Sequence, residues 1–342
     1  MSQIALAGDS VYVNTSSLRY RTSAQIKDNN IAGNLSYGQK LERVGTSGQW
    51  TMILLNGKKY YVSSAYVTSK KPASAGAVQT TSQTAAGAQT SGGTAIALSS
   101  NYKYANYSKI NSGTATLYRS TASNKKNKVV CVNAGHGTNG GGSVKTQCHP
   151  DGSAKVTGGT TGAGATSAVE VSSEMTFADG TAESKVTLAM AKVLKTKLLN
   201  AGYDVLMIRE SDDVQLDNIA RTVIANNNAD CHIALHWDST SSNKGAFFMS
   251  VPSNATYRAM EPVASHWKQH NQLGESLISG LKSAGVKIYS KGSMEMDLTQ
   301  TSYSTIPSVD IELGDKASDH SGATLETLAN GLLTGVNTFF GQ

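Results

Sequence analysis

From about residue 100 to the C-terminus, short apolar runs alternate with longer stretches that carry apolar residues at helical spacing. The short runs, rich in β-branched residues, predict β-strands: KVVCV (128–132), YDVLMIR (203–209), DCHIAL (230–235), AFFMSV (246–251) and SVDIEL (308–313). The longer stretches predict helices at about 182–200, 214–227, 265–284 and 322–340. Such alternation is typical of α/β proteins, so we expect a mostly parallel sheet flanked by helices over residues 101–342.

The first predicted helix carries one acidic residue among apolar ones. Val186, Met190 and Leu194 follow Glu183 at intervals of three, seven and eleven residues, which places all four on one helical face. An ionised carboxylate on a core-facing stripe is costly unless it is paired with a cation or bound to a metal. Glu183 is therefore a candidate metal ligand.

A glycine-rich loop, VNAGHGTNGG, follows the strand KVVCV. Its Gly-x-Gly-x-x-Gly spacing is also that of a dinucleotide-binding turn, but such a turn leads directly into a helix. Here the chain continues through a long polar stretch with no amphipathic period before about residue 182. This context argues against nucleotide binding and leaves His136, between the first two glycines, as a candidate metal ligand.

Two further strands end in residues that can bind a metal or move a proton. DCHIAL is followed by His236, and SVDIEL carries Glu312 near its end. Ligands in an open α/β sheet converge at the carboxyl ends of the strands. Two histidines and a carboxylate with a fourth position open form a catalytic zinc site, and a second carboxylate nearby can take a proton from the zinc-bound water.

The order of these elements resembles that of the zinc-dependent N-acetylmuramoyl-L-alanine amidases of bacteria and phages. The matching elements, between about residues 128 and 342, are VNAGHG at His136, a helix opened by Glu183, G-Y-D-V-x-x-x-R ending at Arg209, R-x-x-x-A-N, x-L-H at His236 and I-E-L-G at Glu312. The resemblance implies that His136, Glu183 and His236 bind Zn²⁺ and that Glu312 is the catalytic carboxylate. It also implies that a zinc-activated water hydrolyses the amide between N-acetylmuramic acid and L-alanine.

The chain departs from the family pattern in three places. The interval between His136 and Glu183 is longer than usual, Asp238 stands where the family often has Asn, and Asp315 stands where it usually has an aromatic residue. Long loops are commonly lids or binding loops. We therefore expect the polar insertion, residues 138–180, to border the substrate groove.

Alternatives remain open at several of these points. Glu170 and Glu174 are rivals of Glu183 as the third ligand, although they lie in a Ser/Thr/Gly-rich segment without a helical stripe. Arg209 is either structural or a contact for the acidic stem peptide. A zinc peptidase that cuts within the stem peptide would use the same ligands and is the alternative function. A catalytically silent wall-binding protein would lack a ligand, whereas all four candidate residues are present.

Residues 1–72 differ in composition from the rest of the chain. Nine Lys/Arg against three Asp/Glu account for the whole net charge of +6, and strand-like runs alternate with turns, including an NG hairpin signal between WTMILL and KKYYV. The stretches SLRYRTSA, GNLSYGQKLERVG, SGQW and NGKKYYVSSAYV resemble bacterial SH3-like wall-binding modules. The resemblance implies a small all-β barrel, with Tyr20 and Tyr60 as wall-binding candidates and Trp50 and Tyr61 as core residues.

A segment of low complexity, residues 73–100, joins the two regions. Residues 73–98 contain no charged and no aromatic side chain, so they cannot bury a core of their own. We expect this segment to be a flexible linker.

The composition also indicates where the protein acts. Only 16% of residues are charged and hydroxyl side chains are plentiful, as suits an extracellular protein. The start, MSQIALAGDS, has neither the basic residues nor the apolar run of a signal peptide. We expect a secreted, wall-associated monomer whose signal peptide is not present in this chain. Its expected partners are peptidoglycan and anionic wall polymers, with no nucleic acid and no membrane span.

Overall fold

The computed structural model describes residues 9–13, 17–25, 30–36, 39–69 and 92–342. These residues fall into two units, one within residues 1–85 and the other within residues 86–342. Each unit buries an apolar cluster of its own, as separate domains do. None of the described helices has both the length and the apolar character needed to cross a lipid bilayer.

The N-terminal unit is an antiparallel sheet. Its described strands are β1 (Asp9–Val13), β2 (Ser17–Arg21), β3 (Ile31–Ser36), β4 (Lys40–Ser47), β5 (Trp50–Leu55), β6 (Lys58–Ser63) and β7 (Val67–Thr68). They are ordered β3-β2-β6-β5-β4-β1-β7. The turn between β5 and β6 is Asn56-Gly57, where φ is 50° and 75°. Positive φ at both positions is what a two-residue hairpin requires, so the hairpin prediction is confirmed.

The aromatic residues of this unit are arranged differently from the expectation. Tyr20 and Tyr60 pack against the apolar core and meet edge to face, with ring centroids 4.8 Å apart. Trp50 and Tyr61, expected in the core, are half-buried and lie outside that cluster. The reason is strand alternation: Tyr60 shares a face of β6 with the buried Val62, and Tyr61 lies on the other face.

The C-terminal unit is built on a mixed sheet. Its described strands are β8 (Thr94–Ala97), β9 (Thr114–Tyr118), β10 (Val129–Ala134), β13 (Asp204–Met207), β14 (Cys231–Asp238), β15 (Ala246–Ser250), β16 (Ile288–Glu295) and β17 (Ser308–Asp315). They are ordered β16-β15-β17-β14-β10-β13-β9-β8. The central strands β17, β14, β10 and β13 are parallel, whereas β15 and β9 run antiparallel to their central neighbours. The predicted parallel sheet therefore describes the centre and not the outer strands. A separate hairpin pairs β11 (Lys145–Gln147) with β12 (Ser167–Val169).

Helices cover both faces of this sheet. The described helices are α1 (Glu183–Asn200), α2 (Asn218–Asn228), α3 (Ala255–Ala259), α4 (Val263–Ser283), α5 (Thr299–Tyr303) and α6 (Gly322–Phe340). Leu194 of α1, Leu277 of α4 and Leu332 of α6 belong to the main core cluster, and Ile224 of α2 belongs to the cluster on the opposite face. The unit is therefore a layered α/β structure, as the alternation of elements predicts.

The strand β8 lies inside the segment that the composition assigns to a linker. Residues Thr94–Ala97 pair with β9 at the edge of the sheet, and Ile96 packs against the apolar cluster beside α2. In this four-residue edge strand only Ile96 is partly buried, and the amino-acid composition of the segment does not reveal a single contact of this kind. The assignment of residues 73–100 to a linker is therefore wrong at its C-terminal end. Residues 73–91 lie outside the described residues.

Candidate metal centre and catalytic site

The turn after β10 brings His136 to the carboxyl edge of the sheet. His136 and Gly137 have positive φ angles of 60° and 73°, a conformation that few non-glycine residues adopt. A Cβ on Gly135 would overlap the imidazole of His236, and one on Gly137 would stand 2.7 Å from Nε of Arg209. The two glycines therefore make room for a second histidine and for a buried guanidinium.

Glu183, the first residue of α1, joins the two histidines. Its side chain is buried. Oε2 lies 3.0 Å from Nε2 of His136 and accepts a 3.2 Å hydrogen bond from the backbone N–H of Met175. Oε1 lies 3.1 Å from Nδ1 of His236 and accepts a 3.1 Å bond from the backbone N–H of Trp237. The carboxylate on the apolar stripe of α1 is thus fully partnered, as a buried charge must be.

His136, Glu183 and His236 form a cluster that suits a metal ion. Their ligand atoms lie within 4.8 Å of one another, and the imidazole centroids are 4.8 Å apart at an interplanar angle of 78°. Nδ1–H of His136 donates a 3.0 Å hydrogen bond to the carbonyl oxygen of Ser172, which orients the imidazole with Nε2 toward Glu183. Two imidazole nitrogens and a carboxylate are donors that Zn²⁺ prefers, so these residues fit that ion.

The charged groups of the cluster shift one another's pKa. Burial raises the pKa of Glu183, but hydrogen bonds with His136 and His236 outweigh burial and hold this pKa well below its usual range. Burial lowers the pKa of His236, whereas Asp310 and Glu183 raise it, and the net result is a rise to about 10. Because metal binding requires deprotonated ligands, a divalent cation and a proton compete for this cluster.

Glu312 lies beside His236 on the neighbouring strand. β17 and β14 are parallel, and Glu312 is paired in register with His236. The Glu312 side chain is buried, and among the described residues no group donates a hydrogen bond to its Oε2. Burial raises the pKa of Glu312 well above its usual range, although His236 opposes the rise and Asp310 adds to it. A carboxyl group of this kind can hold a proton and pass it on.

Asp310 is a second carboxylate at the site that sequence reasoning missed. It stands two residues before Glu312, so the two share a face of β17. Its Oδ2 lies 3.7 Å from Nε2 of His236. Apolar and acidic residues alternate in SVDIEL, and this pattern could have identified Asp310. Val309 and Ile311 belong to the main core cluster, so Asp310 and Glu312 lie on the opposite face of β17.

A pocket of about 150 Å³ opens beside His136, His236 and Asp310. One wall consists of residues from the long insertion 138–180, including Lys155, Thr160, Thr161, Val171 and Ser172. The insertion therefore borders the candidate site, where the sequence places it.

Asp297 anchors the insertion to the rest of the unit. Its carboxylate is fully buried and accepts a 2.9 Å hydrogen bond from Nζ of Lys155. It also accepts backbone hydrogen bonds from Val156 at 2.7 Å and Thr157 at 3.2 Å, and Nε2 of His149 lies 3.2 Å away. The carboxylate of Asp297 thus contacts both ends of the stretch 149–157 and holds them beside the pocket.

Arg209 is part of the framework under the site. Its guanidinium is buried and donates hydrogen bonds to the carbonyl oxygens of Ala134, Gly135, Ser184 and Ser211. These bonds connect the turn after β10 with the first turn of α1. The predicted contact between Arg209 and an acidic stem peptide is contradicted, because the side chain is enclosed by protein acceptors, and the structural interpretation is the one observed.

The two rivals of Glu183 lie elsewhere. Glu174 is exposed and accepts a backbone hydrogen bond in the first turn of α1. Glu170 is buried, and neither of its carboxylate oxygens has a hydrogen-bond partner among the described residues. Burial, reinforced by Asp217, raises the pKa of Glu170 to about 9. Of the three acidic residues, Glu183 is the one in the histidine cluster.

Comparison with known proteins places this site in a family. Residues 130–330 match the family model described as N-acetylmuramoyl-L-alanine amidase. No curated protein sequence matches the chain significantly. Among solved structures, the chain is similar to Ami1 of Mycobacterium smegmatis, an N-acetylmuramyl-L-alanine amidase, at 19% identity over 64% of this chain and 99% of that one, with a TM-score of 0.48. The amidase of Clostridium difficile 630 matches at 16% identity over 63% and 97%, with a TM-score of 0.44. AmiC2 of Nostoc punctiforme matches at 15% over 64% and 99%, also with a TM-score of 0.44.

The matched segment contains the central sheet together with His136, Glu183, His236 and Glu312, and the class of protein that it indicates is a peptidoglycan hydrolase. More specifically, the family model covers more than half of the chain, and the chain belongs to the N-acetylmuramoyl-L-alanine amidase family. Its reaction is hydrolysis of the amide bond between N-acetylmuramic acid and L-alanine.

Proposed function

We propose that this amidase is zinc-dependent, that His136, Glu183 and His236 hold the ion, and that Glu312 transfers the proton. The observation that carries the proposal is the close approach of two imidazole nitrogens and a carboxylate oxygen, all within 4.8 Å of one another. Zinc, when bound, supplies Lewis-acid polarisation of the scissile carbonyl and makes the attacking water more acidic.

The position of Glu312 supports its role. Its buried Oε2 has no partner among the described residues, and it lies on the strand next to His236. In the proposed reaction, Glu312 accepts a proton from water as the water oxygen bonds to the lactyl carbonyl carbon. It then donates this proton to the nitrogen of L-alanine as the C–N bond breaks, which leaves a lactyl carboxyl group and a free amine.

Metal analysis and product analysis test the proposal together. We expect one zinc per chain, loss of activity with a strong chelator, and recovery when zinc is restored. Mass spectrometry of digested cell walls is expected to show stem peptides that begin with L-alanine. Cleavage within the stem peptide would instead identify the alternative, a zinc peptidase, and activity that survives chelation would contradict the metal assignment.

The variant Glu312→Gln tests the proton-transfer step separately. It keeps the size of the side chain and removes its basicity, so we expect wild-type zinc content and a loss of kcat of about 100-fold or more. Turnover at the wild-type rate would remove Glu312 from the mechanism.

We also propose that the N-terminal unit is an SH3-like wall-binding domain and that the protein acts as a secreted monomer at the cell wall. The support is the excess of positive charge in residues 1–72 and the antiparallel architecture of this unit. Tyr20 and Tyr60 are only partly buried, so they can still contribute a wall contact through their outer edges. Attachment to the wall would raise the effective substrate concentration for the catalytic unit.

A further inference from the structure

An exposed aromatic residue, Tyr289, lies near the outer edge of the sheet of the C-terminal unit. Tyr289 is on β16, the outermost strand, beyond β15 and β17. Its side chain is 38% exposed, and it is one of four large hydrophobic residues that are exposed among those the structure describes. Part of its ring is therefore accessible to a ligand.

Tyr289 shares a face of the sheet with Glu312. Phe247 of β15 is paired with Glu312 in antiparallel register, so these two side chains lie on the same face. The ring of Tyr289 packs against that of Phe247, with centroids 5.4 Å apart and an interplanar angle of 57°. Phe247 is fully buried. The exposed ring therefore rests on a buried ring that is a direct neighbour of the proposed catalytic carboxylate.

Lys244 fixes this aromatic pair to the strands of the active site. Its Nζ lies 4.5 Å from the ring centroid of Phe247 and 4.8 Å from that of Tyr289. The same ammonium group pairs with Asp238 at the end of β14, and the backbone N–H of Lys244 donates a 3.1 Å hydrogen bond to Asp315 at the end of β17. A cation held over both rings keeps them in one orientation, so Tyr289 presents a preformed surface.

The separation between Tyr289 and Glu312 suits a sugar chain. Neighbouring strands lie about 4.8 Å apart, so the two spacings from β17 to β16 place Tyr289 roughly 10 Å from Glu312 across the sheet. Ile288, the residue before Tyr289, is paired with Ala246, and the next residue of β15, Phe247, is paired with Glu312; the pairing of β15 with β16 shifts register beyond that point. The pocket bordered by residues 138–180 is lined by His136, His236 and Asp310, and Tyr289 is not among its lining residues. Tyr289 and the pocket are therefore two separate surfaces near the proposed catalytic carboxylate, one for each part of a substrate that carries both a glycan and a peptide.

We propose that Tyr289 is a sugar-binding subsite, which holds the hexosamine next to the muramoyl residue whose amide is cut. A pyranose ring presents a face of weakly positive C–H groups, and the face of an aromatic ring is negative, so the two stack favourably. This inference rests on the proposed function, because it takes Glu312 as the point at which the substrate reacts.

Binding of peptide-free glycan strands tests the subsite in the full chain. Peptide-free strands cannot be hydrolysed by an amidase, so wild type and variants are compared by calorimetry at one set of conditions. We expect Tyr289→Ala to weaken binding about fivefold or more, and Tyr289→Phe and Tyr289→Trp to bind as the wild type does. Tyr289→Leu is the matched control, since it keeps an apolar side chain without an aromatic face, and it should bind as weakly as Tyr289→Ala.

Kinetics on two soluble substrates provide a second readout. One is a disaccharide–peptide with the neighbouring hexosamine, and the other is the same muramoyl–peptide without it. We expect Tyr289→Ala to lower kcat/KM for the first substrate and to leave it unchanged for the second. Equal effects on both substrates, or unchanged glycan binding by Tyr289→Ala and Tyr289→Leu, would overturn the subsite. Tyr289-dependent glycan binding by a chain that releases no stem peptides would instead overturn the proposed function and leave the subsite standing.

Discussion

At the scale of single residues, the carboxylates of Asp310 and Glu312 lie on the same face of β17 but have different surroundings. Glu312 has an unpartnered oxygen, whereas Oδ2 of Asp310 is directed at His236, 3.7 Å from Nε2. Carboxylates that orient a ligand imidazole contribute to metal affinity more than to turnover. In the proposed function we therefore assign Asp310 a positioning role.

The variant Asp310→Asn is expected to weaken zinc binding about 10- to 100-fold while kcat at saturating zinc stays near the wild-type value. Competition with a chromogenic chelator measures the affinity, and assays over a zinc series measure kcat. Glu312→Gln is the matched control, because it should show the opposite pattern. A loss of kcat in Asp310→Asn that added zinc does not recover would count against the positioning role.

Glu170 makes the stability of the fold depend on pH, away from the histidine cluster. Burial and the neighbouring Asp217 raise its pKa from 4.5 to about 9 in the folded chain. Between these two values the folded chain keeps a proton on Glu170 and the unfolded chain does not. The free energy of unfolding therefore decreases as pH rises through this window, and the contribution of Glu170 is most favourable below the unfolded pKa.

Replacing Glu170 by Gln tests this sign. Glu170→Gln keeps the shape of the protonated side chain and cannot ionise, so it should match the wild type near pH 4 and melt several degrees higher at pH 8. In a domain of this size, 1 kcal/mol corresponds to roughly 2–4 °C. Glu275→Gln, at an exposed position of α4, is the control and should change neither melting temperature. Identical melting of Glu170→Gln and wild type at pH 8 would show that Glu170 is not protonated in the fold.

At the scale of elements, the turn between β10 and the insertion requires a glycine, which has no side chain, at position 135. Gly135 lies against the imidazole of His236, and Gly142, a few residues later, has open space around its Cα. Gly135→Ala should displace His236 and lower kcat/KM about 100-fold, a typical cost of misplacing a catalytic group by 1 Å. Gly142→Ala should leave kcat/KM unchanged. Zinc stoichiometry measured on both variants shows whether the loss of activity comes from a loss of metal binding. A fully active Gly135→Ala variant would mean that the backbone of the turn can shift enough to accommodate a Cβ.

The elements that could be predicted from sequence are those that bury a continuous apolar surface. α1 and α6 carry an apolar stripe along their whole length, and the predicted helices agree with them to within one residue. The central strands are nearly uninterrupted apolar runs because both of their faces are covered. The edge strands β8 and β16 carry few buried side chains, as IYSKGSME of β16 illustrates, so no apolar pattern marks them.

The candidate site divides in the same way. His136, His236 and Glu312 could be found because each stands at or near the end of a recognisable strand, and Glu183 because it interrupts an apolar stripe. The partners in other elements could not be found, because they depend on register. Asp297 meets the insertion across more than 130 residues of chain, and Tyr289 reaches the active-site face only through the pairing of β16 with β15.

At the scale of the whole molecule, charge is divided between the two regions. Residues 1–72 hold the entire excess of +6, and the remaining residues hold 21 basic and 21 acidic side chains. A neutral catalytic region does not need to be attracted to an anionic wall if a basic region supplies the attraction. Binding and catalysis can then be changed independently, and only binding should respond strongly to salt.

Charge reversal at the start of β6 tests this division. Lys58 and Lys59 are both exposed, and the double variant Lys58→Glu, Lys59→Glu lowers the net charge from +6 to about +2. We expect weaker co-sedimentation with intact cell walls at low salt, and no difference from the wild type near 1 M salt, where the Debye length is about 3 Å. Hydrolysis of a small soluble muropeptide should be unchanged, because the catalytic residues are untouched.

Walls stripped of their anionic polymers are the matched control, since on them both proteins should bind alike. A variant that binds intact walls as tightly as the wild type at low salt would show that charge on this unit does not hold the enzyme at its substrate.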